Sequence, residues 1–340
     1  MRRILVTGGC GFIGSNLVRY LLATYPDVEI LNLDALTYAG NPANLADLAN
    51  ERRYRFVRGE ITDARLVAAL LPGCWGVAHL AAETHVDRSL LEGGAFITTN
   101  VLGTYTLLRA ALDASVGRFL HVSTDEVYGP TPDGLRFRED APFAPRSPYA
   151  ASKAGAEFQA RAFFESYGLP VVITRGVNTV GPYQHPEKVV PLWATNALLG
   201  EPLPLYGEGR QRRDRLAVSD HCRALDTVLH AGEPGEAYNV AAGNEADNRT
   251  VAELVCDLLD RPHDLIQPVA DRAGHDDRYA LDAAKLHALG WSPRLDLDEV
   301  IAGTVQWYRE HEAWWRPLRD RAFAAYYARQ YGARLAGRVE

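Results

Sequence analysis

Six short, largely apolar runs, at 4–6, 28–33, 54–57, 76–80, 119–123 and 171–174, read as buried strands. Between them, 13–23, 63–71, 99–114 and 149–167 repeat apolar residues at helical spacing. Strand alternating with helix predicts an α/β chain built on a doubly wound parallel sheet. The texture changes from Gly181, where Pro182, Pro186, Pro191, Pro202 and Pro204 fall among shorter elements. Residues 1–180 are therefore expected to form a nucleotide-binding unit, and 181–340 mainly a smaller substrate-binding lobe. The boundary is soft, and some later segments are expected to return to the first unit. Internal repeats and low-complexity linkers are absent, which argues against independent modules on a tether.

At 340 residues, 47% hydrophobic and 23% charged, the chain has enough apolar content for a sizeable core and is neither disordered nor fibrous in composition. Its net charge of −7 provides no basic field for DNA or RNA, so no nucleic-acid partner is expected. Only Lys153, Lys188 and Lys285 are lysines among the 36 basic residues, which draws attention to each, because lysine alone offers a compact ammonium with a tunable pKa. Cys10, Cys74, Cys222 and Cys256 form no Cys-x-x-Cys pair, and no histidine cluster has zinc spacing, so scattered thiols and no metal are expected. The chain runs from Met1 directly into its first strand, without a signal segment or an apolar run of membrane-spanning length. That organisation is expected of a cytoplasmic protein with no membrane partner.

Gly8-Gly9-Cys10-Gly11-Phe12-Ile13-Gly14 follows the first strand and opens the first helix. Small residues there let a pyrophosphate approach the backbone, and the helix N-terminus favours its charge. A tight strand-to-helix turn would have the same composition, so position decides. Asp34 ends the second strand about 20 residues later, where a carboxylate can bind the adenosine ribose hydroxyls. Its charge would repel a 2′-phosphate, and no arginine follows in Ala35-Leu36-Thr37-Tyr38, so NAD is expected rather than NADP.

Tyr149 and Lys153 lie four apart at the start of an alanine-rich helix and so share a face. A solvated helix can carry that spacing by chance, but Ala150, Ala151, Ala154 and Ala156 make a solvated face unexpected here. A nearby ammonium and the nicotinamide charge are expected to lower the phenol pKa and make Tyr149 a base. Upstream, Ser123-Thr124-Asp125-Glu126 places hydroxyls and two carboxylates at the carboxyl end of a buried strand, where ligands bind in open parallel sheets. The acids could simply cap the strand. In a crevice, though, their mutual repulsion would push one pKa upward and set an acid beside a base.

The loop Thr-Gly-Gly-x-Gly-Phe-Ile-Gly, His79-Leu80-Ala81-Ala82-Glu83, Ser123-Thr124-Asp125-Glu126-Val127-Tyr128-Gly129 and Tyr149-Ala150-Ala151-Ser152-Lys153 resemble the extended short-chain dehydrogenase/reductase superfamily. Within it the chain resembles the dTDP-glucose 4,6-dehydratase family nearly end to end. Thr84-His85-Val86-Asp87-Arg88-Ser89, Gly181-Pro182-Tyr183-Gln184, Pro186-Glu187-Lys188, Asp271-Arg272-Ala273-Gly274-His275-Asp276 and Trp314-Trp315 carry that likeness. It implies a Rossmann sheet with a smaller C-terminal lobe. It also implies a cycle in which Tyr149, Thr124 and Lys153 serve C4 oxidation, while Glu126 takes the C5 proton and protonated Asp125 donates to the departing C6 hydroxyl.

NAD would be held by Gly8, Gly11, Phe12, Ile13 and Gly14 of the loop and by Asp34 and Thr37 after the second strand. The remaining implied contacts are Glu60, Ile61, Leu80, Ala81, Ala82 and Thr99, together with Tyr149, Lys153 and Thr179. Substrate contacts are implied for Thr84, Thr124, Asn178, Lys188, Pro204 and Tyr206, and for Arg213, Asn244, Arg272 and His275. The two arginines suit a bidentate grip on diphosphate. The chain departs from the family pattern at Glu60, at Thr179-Val180 and at Arg215, a position usually aromatic, all near the nucleotide contacts. The nucleoside therefore stays open between dTDP and UDP or another. A 4-epimerase, a decarboxylase and a non-catalytic NAD-binding protein stand as lesser readings. The helices at 99–114 and 149–167 carry more apolar surface than one sheet face needs, and the resemblance implies that they form a four-helix homodimer interface.

Overall fold

The computed structural model describes residues 2–271, 275–332 and 335. Its strands, in chain order, are β1 (Arg2–Thr7), β2 (Val28–Asp34), β3 (Tyr54–Arg58), β4 (Cys74–His79), β5 (Arg118–Thr124), β6 (Val171–Gly176), β7 (Asn178–Val180), β8 (Leu203–Tyr206), β9 (Arg212–Ala217), β10 (Ala237–Val240), β11 (Glu245–Asp247) and β12 (Ile266–Val269). Seven of them form one parallel sheet in the order β3-β2-β1-β4-β5-β6-β10. The winding reverses between β1 and β4, and a crevice opens where the loops leaving their carboxyl ends diverge.

Alternation along each strand supplies both faces of the sheet. Ile4, Val6, Leu120 and Val122 pack toward helices Phe12–Thr24 and Val218–Ala231. Leu5, Leu33, Val77 and Phe119 pack toward helices Ala64–Leu70, Thr104–Asp113 and Pro148–Tyr167. Helix Val218–Ala231 and β10 thus belong to the first sheet although they lie beyond residue 180. The remaining lobe gathers Trp193, Val251, Ile301 and Trp315 around helices Val189–Leu199, Asn248–Leu258 and Leu297–Glu310. Among the described residues, no helix is long and apolar enough to cross a membrane.

Where a single helix over 99–114 is expected, the structure has a π-turn at Ile97–Gly103 followed by helix Thr104–Asp113. Such widened turns cluster at functional sites because they redirect side chains that a regular helix would place on its flank. Here the turn carries Thr98 and Thr99 onto the wall of the crevice, and Asn100 onto the neighbouring loop.

Helix Pro148–Tyr167 is bounded by local chemistry: Ser147 accepts from the Ala150 amide at its start, Pro148 sits in the first turn, and Gly168 closes it in the left-handed region. A buried ion pair fixes it against the sheet. Arg175 of β6 and Glu157 of the helix are each 0% exposed and meet at 2.5 Å. Arg175 also donates to the Glu139 carbonyl and to the Tyr128 hydroxyl, which lies just past the Asp125–Glu126 pair. Glu157→Ala strands the guanidinium in a dry interior and is expected to cost about 3–5 kcal/mol in urea unfolding, whereas a double Glu157→Leu, Arg175→Met change should recover much of it. A single-variant loss within the error of the unfolding curve would show that the pair does not hold the helix.

Candidate active site

Two cavities adjoin at the carboxyl end of the sheet. The first, of about 360 Å³, runs from the glycine loop past Asp34 and Glu60 to Tyr149 and Lys153. Its floor is shaped for close backbone approach. A Cβ at Gly8, whose φ is +73°, would lie 2.7 Å from the Ala81 nitrogen, and one at Gly14 would lie 2.1 Å from the Gly8 carbonyl oxygen. Asp34 serves both as turn residue and as cavity wall: its oxygens accept from Cys10 N at 2.9 Å and Leu36 N at 2.8 Å while the residue lines the cavity. Each oxygen retains a further lone pair for a ribose hydroxyl. Burial pushes this carboxyl pKa upward, and the two amides pull it back. The crevice, the helix N-terminus and the carboxylate together fit a dinucleotide.

The cavity includes every expected cofactor residue except Thr179: Gly8, Gly11, Phe12, Ile13, Gly14, Asp34, Thr37, Glu60, Ile61, Leu80, Ala81, Ala82, Thr99, Tyr149 and Lys153 all line it. Thr179 lies on the second cavity instead, with its hydroxyl 2.7 Å from His221 Nδ1. Its hydroxyl is turned to helix Val218–Ala231, which packs on the large sheet.

The second cavity, of about 310 Å³, contains the acid pair. Thr84, Ser123, Tyr149, Gln184 and Lys188 line both cavities and so mark the junction. Thr124 ends β5 and caps a 3₁₀ turn at Asp125–Tyr128, accepting from Glu126 N at 3.4 Å and donating to Asp125 Oδ1 at 3.1 Å. Asp125 is 3% exposed and its Oδ2 has no hydrogen-bond partner. Burial, reinforced by the charge of Glu126, pushes its pKa up to about 8, so it is largely protonated at neutral pH. Glu126 stays half-buried on the cavity side.

Lys153 is 6% exposed and donates to the Val122 carbonyl at 2.7 Å. Burial draws its pKa down to about 8, while Glu157 opposes the shift. The expectation of a lowered Tyr149 pKa is corrected for the chain's own groups. Burial raises the phenol, the charges of Glu126 and Asp125 raise it further, and hydrogen bonds with Thr124 and Thr84 pull it back. The carboxylates face the phenol directly, while Lys153 is engaged with a strand carbonyl, so the carboxylates outweigh the ammonium.

Of the expected substrate contacts, Thr84, Thr124, Asn178, Lys188, Pro204, Tyr206, Arg213 and His275 line the second cavity. Lys188 Nζ reaches Thr84 Oγ1 at 3.4 Å, and Arg213 lies over the Tyr279 ring at 4.3 Å. Asn244 lies off the cavity wall, its amide donating to the Arg215 and Leu295 carbonyls at 3.2 and 3.1 Å. Its side chain ties the lobe together at that point. Arg272 falls outside the described residues.

Sequence reasoning assigned no role to Gln184, although it closes the Gly-Pro-Tyr-Gln motif. The structure places it at the junction, donating to Thr179 O at 2.9 Å. Asn100 also carried no signal. It accepts from Glu83 N at 2.8 Å and donates to Glu83 O at 3.0 Å and Ser152 Oγ at 2.8 Å, pinning the loop that walls the first cavity to the helix bearing Lys153. Asp87 holds the Tyr206 hydroxyl at 3.1 Å across the second cavity.

Among known proteins, a family model described as GDP-mannose 4,6 dehydratase matches residues 5–304. The dTDP-glucose 4,6-dehydratase of Streptomyces niveus is 48% identical over 323 residues, 94% of this chain and 96% of that protein. The low-salt glycan biosynthesis protein Agl12 of Haloferax volcanii is 49% identical over 305 residues, 90% of this chain and 98% of that protein. Among solved structures, DesIV of Streptomyces venezuelae, a dTDP-glucose 4,6-dehydratase crystallised with NAD bound, superposes with a TM-score of 0.91 at 51% identity, over 93% of this chain and 99% of that one.

The Asp125 shift has a thermodynamic consequence. Its folded pKa of about 8 lies above the ordinary 3.8, so the native state holds the proton more tightly than the unfolded chain. That contribution to stability is full below the ordinary carboxylate value and is lost as pH rises through about 8. Asp125→Asn is therefore expected to flatten the fall of Tm between about pH 4 and about pH 8, and to be more stable than the parent at the upper end of that range by over ~1 kcal/mol. Parallel Tm–pH curves for the two proteins would refute the assignment.

Proposed function

The chain belongs to the dTDP-glucose 4,6-dehydratase family of the extended short-chain dehydrogenase/reductase superfamily, and from that membership we propose that it converts dTDP-glucose to dTDP-4-keto-6-deoxyglucose and water. The observation that carries this reading is the division between the two adjacent acids: Asp125 buried and neutral, Glu126 on the cavity side, with Tyr149 next to both. An elimination of water needs that combination, an acid for the leaving hydroxyl and a base for the carbon-bound proton.

In this reading Tyr149 removes the C4 hydroxyl proton, with Thr124 bonded to the phenol and Lys153 on the same helix face, and the positive charge of bound NAD would have to offset the burial and acid charges that raise the phenol. NAD, bound along the first cavity, supplies a reversible hydride store, so that oxidation at C4 and reduction at C6 leave no net redox change. Oxidation at C4 acidifies C5–H. Glu126 takes that proton, and Asp125 donates through its unpartnered Oδ2 to the C6 hydroxyl, which leaves as water. Glu126 then returns the proton to C5. Arg213, on the wall of the second cavity, would hold the diphosphate, and Lys188, at the junction of the cavities, would contact the sugar.

A homodimer is part of the proposal. Leu102, Tyr105, Phe158 and Tyr167 are 45–57% exposed on the π-turn and on helices Thr104–Asp113 and Pro148–Tyr167, which pack side by side. That is more apolar surface than a helix pair facing water normally carries. The four cysteines are unbridged and buried, which suits a reducing compartment, and we place the protein in the cytoplasm.

Mass spectrometry after incubation with dTDP-glucose, UDP-glucose and GDP-mannose separately tests the reaction. Loss of one water from dTDP-glucose is the expected outcome, and intact substrate in every case would overturn it. Glu126→Gln should lower turnover by about 10²–10⁴-fold while reduced cofactor still accumulates on the enzyme, because C4 oxidation precedes the step it blocks. Sedimentation showing only monomer at micromolar concentration would defeat the dimer.

A further inference from the structure

Arg215 is a buried cation whose partners are all neutral. It is 1% exposed, lies on β9 beside Asn178 of β7, and lines the second cavity with Arg213. Its guanidinium donates to the Arg213 and Ala246 carbonyls at 3.2 and 3.1 Å and to Asn248 Oδ1 at 2.7 Å. Among the described residues, no carboxylate bonds to it. Asp214 directs both oxygens to the amides of Ala242, Gly243 and Asn244, and Asp247 caps helix Asn248–Leu258 through the Thr250 amide.

Two other buried arginines, Arg175 and Arg278, are bonded to carboxylates. Arg175 meets Glu157 at 2.5 Å, and Arg278 makes a two-pronged contact with Glu245 at 2.7 and 2.9 Å. An arginine does not neutralise itself by losing a proton at any ordinary pH, so a buried one whose hydrogen-bond acceptors are all neutral gains from an anion that reaches it. Five N–H donors with three neutral acceptors leave the fork with capacity to spare. Burial and the neighbouring Arg213 both work against its charge, as a pKa lowered to about 10 reflects.

We propose that Arg215 is a substrate-binding residue that, with Arg213, supplies the counter-charge for the diphosphate of a nucleotide sugar. This rests on the nucleotide-sugar reading above but not on which base the nucleotide carries. Two guanidinium groups on one strand face match a group bearing two negative charges. The anion would add a direct charged partner to a buried guanidinium that Asp214 and Asp247 support only through space, without a bond. A purely structural role, in which the fork only staples β9 to Ala246 and Asn248, predicts loss of stability without selective loss of diphosphate binding.

The test is calorimetric titration of the NAD-loaded protein with dTDP and, separately, with thymidine, for the parent, R215Q and R215K. R215Q keeps hydrogen-bonding capacity without charge, and is expected to weaken dTDP by about 10–100-fold while thymidine binding stays at the parent value. R215K, which keeps the charge but not the fork, should fall between the two. Salt should weaken dTDP binding to the parent more steeply than to R215Q. Parent-like dTDP affinity in R215Q, or equal losses of dTDP and thymidine, would overturn the proposal. Should R215Q fail to fold, the comparison is read from R215K, where an unchanged dTDP affinity would overturn it. UDP and GDP are titrated alongside. A diphosphate-dependent loss seen with UDP or GDP upholds the role of Arg215 even if dTDP-glucose is not the substrate.

Discussion

The site depends on one buried carboxylate, Glu157. It sits one helical turn beyond Lys153 and pairs with Arg175, with both members of the pair inaccessible to water. A charge so placed is tolerated only with a partner, so the helix carrying Tyr149 and Lys153 has a single favourable seat on β6. Through Arg175 the same network reaches Tyr128, and through Tyr128 it reaches Asn239 of β10 at 2.9 Å. The turn that holds the acids and the helix that holds the base are therefore set by the same ion pair. Glu157 also supports the charge of Lys153 against its burial, which couples position to protonation state. Residues that touch no substrate in the proposed scheme thus decide where the reacting groups stand.

A second constraint acts on the cofactor side. The loop from Leu80 to Glu83 leaves β4 at the reversal of winding; Thr7 of β1 holds its start through the Leu80 and Ala81 amides, and Asn100 holds its end. That amide satisfies both backbone groups of Glu83 and reaches Ser152, whose hydroxyl also donates to the Tyr149 carbonyl at 2.7 Å. The wall of the dinucleotide cavity and the start of the catalytic helix are in this way one hydrogen-bonded unit. A reaction that takes a hydride from a sugar and gives it back within one binding event requires that kind of rigidity.

The glycine loop, the ribose carboxylate and the Tyr-Lys pair are local signals, and each could be read from the sequence because its spacing has a direct geometric meaning. The winding of the sheet was legible for the same reason, since apolar runs and helical periodicity alternate regularly. The π-turn was not, because Ile97 to Gly103 has no feature that separates it from a regular helix. Nor were Asn100, Glu157 and Arg175, whose roles exist only once distant segments meet. Nor was the direction in which the chain's own groups shift Tyr149: helical spacing points to Lys153, but the acids that raise the phenol come from the turn after β5. Asn244 is the converse case, a residue placed by resemblance at the ligand whose amide in this chain is turned to two backbone carbonyls.

The contrast between Asp125 and Glu126 shows how little backbone is needed to separate two chemical roles. On a continuing strand, neighbouring side chains would point to opposite faces of the sheet and only one could reach the cavity. Here the strand stops at Thr124, and a 3₁₀ turn brings both acids to the cavity at different depths. Thr124 fixes that difference with one oxygen, donating to the deeper carboxyl and accepting from the amide of the shallower residue. The deeper acid loses hydration and feels the charge of the other, so it keeps its proton. Two acids adjacent in sequence are thereby driven toward opposite protonation states, and the order of proton transfers in an elimination follows from where the strand ends.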